Sequence, residues 1–131
     1  MDLSVRTDSV GADDQSWMGS RHGTNNARTV TLAKASFTPA THYPQGFVRS
    51  GTPLAKYTSG GNTGLYGPYT PGATDGSQTF VGHLLTPVSV TSGTGNIVAA
   101  LMDHGRIVEA RLPIAIDTAA KTAAAGRLIY V

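Results

Sequence analysis

The amino-acid sequence predicts a β-rich mixed α/β fold: a small compact body with one short helix, preceded by a long extended N-terminal arm. Three observations carry this expectation. Between Gly51 and Leu85, short β-prone pieces alternate with Gly, Pro and Asp75-Gly76, the pattern of small strands joined by tight turns. Asp117 or Thr118 stands ahead of Ala119-Ala120-Lys121-Thr122-Ala123-Ala124-Ala125, and Gly126 follows. A cap, an alanine-rich run and a left-handed stop together define a short helix. From Met1 to about Thr29 the chain is polar and aperiodic, with Trp17-Met18 as its only large apolar pair. A stretch of that kind does not repay its own ordering entropy.

Taken in order, residues 1–45 form the expected arm and 46–131 the body. Trp17 is the only tryptophan, and in a flexible arm it reads as an anchor for a pocket on a partner. Thr29–Phe37 alternates, with Val30 and Leu32 on one face, and is a strand. Two placements are open for it: addition to a neighbour's sheet edge, or a first edge strand of the chain's own sheet. In the body, Phe47–Lys56 is a strand, Tyr57–Ala73 a long Gly/Pro/Tyr loop, and Ser77–Leu85 a strand whose Gly82 marks a bulge or close backbone approach. Asn96–Met102 and Arg106–Leu112, joined by Asp103-His104-Gly105, read as a β-hairpin. Two turns of helix are not stable alone, so the Ala face must lie against the strands, and Arg127–Val131 closes the chain as a strand.

The chain of 131 residues fits one domain with a modest core and holds no cysteine. Added stability is then expected from oligomerisation or from docking on a larger partner. Charged residues make up 14% and the net charge is +2, with Lys and Arg scattered singly, which gives no basis for nucleic-acid binding. The longest apolar run, Ile97–Met102, is far short of the roughly 20 residues that span a bilayer. The N-terminus lacks the cationic start and apolar run of a signal peptide, so synthesis in the cytoplasm without export is expected.

No enzymatic constellation stands out. His22, His42, His83 and His104 are widely spaced and read as surface or turn residues, so no metal or cofactor is expected. Asp103 and His104 lack a nucleophile elbow, and Asp75 and Asp117 read as turn and cap residues. Ser59–Gly64 is glycine-rich without the Gly-Lys-Ser/Thr ending of a phosphate loop. Tyr57, Tyr66 and Tyr69 either form a sugar-stacking platform or fill the space beneath the loop.

The order Gly51-Thr52-Pro53-Leu54-Ala55-Lys56, Tyr66-Gly67-Pro68-Tyr69, Asp75-Gly76 and Val81-Gly82-His83-Leu84-Leu85 resembles the head decoration protein D family of tailed bacteriophages. The likeness runs from about Gly46 to Val131, through the Ile97–Leu112 segment and the closing helix and strand. It implies a β-tulip-like domain without enzymatic activity. Such a protein sits as a homotrimer on the outer surface of a mature phage head and reinforces the major capsid protein lattice. It also implies an arm that orders on the capsid. On the residues themselves, Trp17, Met18, Val30, Leu32 and Phe37 are the arm's candidate capsid-binding residues. The alternative is a virion-associated carbohydrate-binding or adhesin β domain that uses Tyr66, Tyr69 and the glycine-rich loop.

Overall fold

The computed structural model describes residues 14–21, 23–90 and 95–131. Its strands are β1 (Arg28–Leu32), β2 (Phe47–Val48), β3 (Pro53–Lys56), β4 (Tyr66–Pro68), β5 (Phe80–Leu84), β6 (Val88–Ser89), β7 (Ile97–Met102), β8 (Gly105–Ile107) and β9 (Leu128–Tyr130). Two short helices, α1 (Pro39–His42) and α2 (Thr118–Ala123), complete the regular structure together with three 3-10 turns. Five strands close into a barrel in the order β1-β4-β3-β5-β7, while β2/β6 and β8/β9 form separate two-stranded sheets. Closure comes from β1, which pairs antiparallel with β7 over all five of its residues and parallel with β4 at Leu32 and Tyr66.

Alternation along β1 works as the sequence suggests: Val30 and Leu32 are buried while Arg28 and Thr29 are exposed. They join Phe37, Val48, Leu54, Tyr66, Leu84, Ala99 and Leu101 in one apolar cluster. A second cluster gathers Trp17, Phe80, Met102, Ile107, Ala120, Ala124 and Leu128. Each large side chain removed from water in this way contributes on the order of 1.5–3 kcal/mol.

The expected helix forms as α2. The Asp117 carboxylate accepts the Ala120 N–H at 2.9 Å, Ala120 and Ala124 are fully buried, and Gly126 at φ 84° stops the helix. Gly82 is also as expected. The β3/β5 register slips there, with Leu54 opposite Gly82 and Ala55 opposite Phe80, which leaves Val81 as the extra residue. A Cβ on Gly82 would lie 2.5 Å from the Met102 carbonyl oxygen, so the two backbones approach too closely for any side chain.

Four expectations are corrected. The single helix becomes two, because Pro39 opens the one-turn α1 and does not merely break structure. The strand Phe47–Lys56 is split by a turn at Gly51 (φ 91°) into β2 and β3, which belong to different sheets. Asn96–Leu112 is not a hairpin: both edges of β7 are occupied by β1 and β5, and β8 instead pairs in parallel with β9.

The fourth correction concerns the arm. Across residues 14–45 the chain, where described, is built into the body. β1 lies inside the barrel, so the strand belongs to the chain's own sheet and has a neighbour on each side. Ahead of it, Met18 bridges antiparallel to Ile107, the Gly19 N–H donates to the Arg106 carbonyl at 2.8 Å, and the Val108 N–H donates to the Trp17 carbonyl at 2.6 Å. The segment around Trp17 thus flanks β8 opposite β9. Residues 1–13 of the expected arm, and His22, lie outside the described residues.

Candidate functional site

The densest polar chemistry of the described residues surrounds His83 on β5, at the junction of the N-terminal segment, the barrel and the C-terminal strand. Its ring is fully buried between Trp17, Phe80 and Tyr130, with centroid separations of 5.5, 5.1 and 6.0 Å. Nδ1 is 2.9 Å from the Gly51 carbonyl, and Nε2 is 2.9 Å from the Tyr130 hydroxyl. A carbonyl only accepts, so Nδ1 carries the proton and Nε2 accepts from the Tyr130 hydroxyl. Burial pushes the His83 pKa down to about 4, against a smaller upward pull from the Gly51 carbonyl. Burial likewise raises Tyr130 well above its ordinary value. Both groups are therefore neutral near pH 7, and the pair forms a packed hydrogen-bonded node, not an acid–base couple facing solvent.

Trp17 completes the node. Its indole Nε1 donates to the Ser50 hydroxyl at 3.0 Å, and Ser50 in turn donates to the Leu85 carbonyl at 2.6 Å. Gln15 Nε2 reaches the same Leu85 carbonyl at 3.0 Å. Gly51 is required here: a Cβ would stand 2.9 Å from both the Trp17 ring and Pro113, and its φ of 91° is left-handed. The indole is thus a core element of its own chain.

The structure places the other candidates as follows. Val30, Leu32 and Phe37 are buried in the first cluster, and Met18 is half-buried against the second. None of Trp17, Val30, Leu32 and Phe37 is displayed on the surface of the described chain. His83 is a core residue and not the surface residue its polarity suggests. His42 is half-buried, accepts the Thr38 N–H at 2.7 Å through Nδ1, and is held below its ordinary pKa by desolvation and then by Arg49. His104 is exposed at the bend between β7 and β8. Among the described residues no group of three or more His, Asp or Glu side chains is placed to hold a metal ion.

The turn and cap residues behave as read. Asp75 accepts the Ser77 hydroxyl at 2.6 Å and its N–H at 3.1 Å, and Ser77 holds the carboxyl below its usual range. Asp117 is lowered by the Ala120 N–H and then by the Tyr69 hydroxyl, which donates to it at 2.8 Å. Asp103 forms a 3.7 Å ion pair with Arg28.

The tyrosines do not assemble into a platform. Tyr57 and Tyr66 are buried, the former lying over Gly67 where a Cβ would be 2.5 Å from its ring, and Tyr69 is engaged by Asp117 and packs edge-on against Phe80 at 5.7 Å. What the surface does offer is apolar. Val98 on β7 is 67% exposed, and Ile129 and Val131, two positions apart at the C-terminal strand, are 56% and 60% exposed.

The described residues thus form a small barrel in which His83, Tyr130, Tyr69 and Asp117 are bonded within the chain and apolar side chains are left outside. A family model described as bacteriophage lambda head decoration protein D matches residues 15–129, and the chain belongs to that family. It is accordingly a capsid-decorating structural protein of a bacteriophage. No curated protein and no solved structure matches the chain. The match begins at residue 15, far ahead of Gly46, so the Trp17 segment and β1 belong to the family domain, in agreement with their packing.

Proposed function

We propose that this protein assembles as homotrimers on the outer surface of a mature phage head and reinforces the lattice of its major capsid protein. The family match across residues 15–129 carries the reading. The exposed surface supports it: among the described residues β9 pairs with β8 alone, and the exposed Ile129 and Val131, two positions apart, place apolar side chains on one face of the C-terminal strand. With Trp17, Val30, Leu32 and Phe37 committed to the body, the docking role of the expected arm falls to residues 1–13.

The mechanics follow from multivalency. Packaged DNA presses outward on a shell whose subunit junctions are thin, and a trimer gripping several capsid subunits raises the force needed to part them. Once one docking contact forms, the other two act at high effective concentration. A shell whose spacing does not match all three gains little, which favours binding after expansion without a chemical switch.

Purified heads imaged by electron microscopy with and without the protein test the proposal. Added knobs of density at the three-fold positions, with a three-chain mass by sedimentation equilibrium, are expected. Bare heads at saturating protein, or a monomer at every concentration, would sink it. Equal binding to unexpanded shells would remove the geometric step alone.

A further inference from the structure

A pocket of about 310 Å³ lies between the end of β2, the turn starting at Asp14 and the stretch Arg111–Pro113. Arg49 and Arg111 both line it, and Phe47 and Pro113 contribute apolar wall. The ion pairs Arg28–Asp103 and Lys121–Glu109 involve neither arginine. Arg49 spends Nη2 on the Thr41 carbonyl at 2.9 Å, while its Nε is buried with no acceptor among the described residues. A buried guanidinium N–H left without an acceptor is costly.

Neighbouring groups do not supply that acceptor. Asp14, the carboxylate on the lining, accepts the Ser16 N–H at 3.0 Å; Ser16 holds its carboxyl below the usual range, and Arg111 adds a smaller pull. His42, within electrostatic reach of Arg49, is held low and stays neutral near pH 7. The pocket therefore presents the guanidinium groups of Arg49 and Arg111 beside the Asp14 carboxylate, with short apolar walls from Phe47 and Pro113. A planar carboxylate satisfies two guanidinium forks better than any neutral group.

We infer that this pocket is a carboxylate-binding site that takes one acidic side chain of the docking partner, with Arg49 at its floor and Arg111 at its rim. The inference rests on the decoration reading for the identity of the partner, the shell protein of the phage head. The volume of about 310 Å³ admits the methylenes and carboxylate of an aspartate or glutamate, and charge complementarity assigns the sign. Arg111 is exposed, so altering it leaves the fold intact.

The test measures binding to purified heads at about 0.1 M and about 0.5 M salt for the full chain and for Arg111→Gln, Arg111→Glu and Arg49→Lys. At low salt Arg111→Gln is expected to weaken binding about tenfold, the loss typical of a hydrogen bond to a charged group, and Arg111→Glu to weaken it further. The differences shrink at high salt, and both Arg111 variants keep the parent's unfolding midpoint. Arg49→Lys, which keeps the charge but loses the fork, is also weakened. If the parent docks while Arg111→Gln and Arg111→Glu dock equally well, the pocket assignment is overturned and the decoration reading stands. If the parent itself fails to dock, the decoration reading falls and takes the partner with it.

Discussion

The buried His83 makes stability depend on pH in a window that can be stated in advance. In the unfolded chain its imidazole takes a proton near pH 6.5; in the folded protein burial delays this to about 4. Between those values the unfolded state binds the additional proton, so acidification favours unfolding. Above pH 6.5 the group contributes no pH dependence. Each unit of acidification below it costs up to about 1.4 kcal/mol, and the whole interval comes to about 3 kcal/mol. The carboxyls of Asp14, Asp75 and Asp117, all lowered from 3.8, add stability that is lost only below that value, outside the window. His42, also lowered, contributes in the same direction below pH 6.5. Urea unfolding at one fixed protein concentration across this range, for the parent, His83→Gln and His42→Gln, measures the effect. The parent should lose stability on acidification, His83→Gln should lose most of that slope, and His42→Gln only a minor part. Identical slopes for the parent and His83→Gln would refute the burial of a neutral imidazole at this position.

The remaining predictions concern packing. Trp17→Ala removes a fully buried indole and should cost about 3–5 kcal/mol in chemical unfolding; unchanged stability would mean that the Trp17 segment does not belong to the core. Gly82→Ala forces a Cβ to within 2.5 Å of the Met102 carbonyl oxygen and should lower stability by about 1–3 kcal/mol, read from the thermal midpoint. Asp117→Ala removes the α2 cap together with the Tyr69 bond and should cost about 1 kcal/mol by the same measurement. Truncation of residues 2–13 should leave the unfolding midpoint in place and abolish head binding, whereas truncation of residues 2–19 should also depress the midpoint sharply, because it removes the Trp17 segment beside β8.

Local signals in the sequence were reliable wherever the structure they encode is local. The cap at Asp117, the stop at Gly126, the bulge at Gly82 and the alternation of Val30 and Leu32 each depend on a few neighbouring residues. What composition did not reveal were contacts between distant positions. Trp17 meets Ser50, His83 and, through Ser50, Leu85, so a polar stretch with one indole reads as unanchored until those partners are placed. β4 was hidden inside a presumed loop because Gly67 and Pro68 are poor strand residues; Gly67 is demanded by the Tyr57 ring, and Pro68 lies beyond the single position where β4 meets β1. The mistaken hairpin had a suitable turn, but no edge of β7 was free to receive β8. For His83 one signal was available: it sits within the apolar run Phe80–Leu85, where a polar side chain requires internal partners.

The packing of the N-terminal segment bears on how a docked trimer would resist force. Under the proposed docking, a pull on residues ahead of Asp14 reaches the chain where Trp17 is held on two sides. Its backbone and those of Met18 and Gly19 are laddered to β8, and its indole is bonded to Ser50 and stacked near His83. β8 is paired in turn with β9, and Tyr130 of β9 bonds back to His83. Tension entering at the N-terminus is thus shared between the outer β8/β9 sheet and the barrel, and no single fraying strand has to bear it. An arm attached to a free-standing Trp17 would transmit no such load. The clasped Trp17 segment therefore supports the proposed reinforcing role, since a brace holds only as firmly as the body to which its arms are fixed.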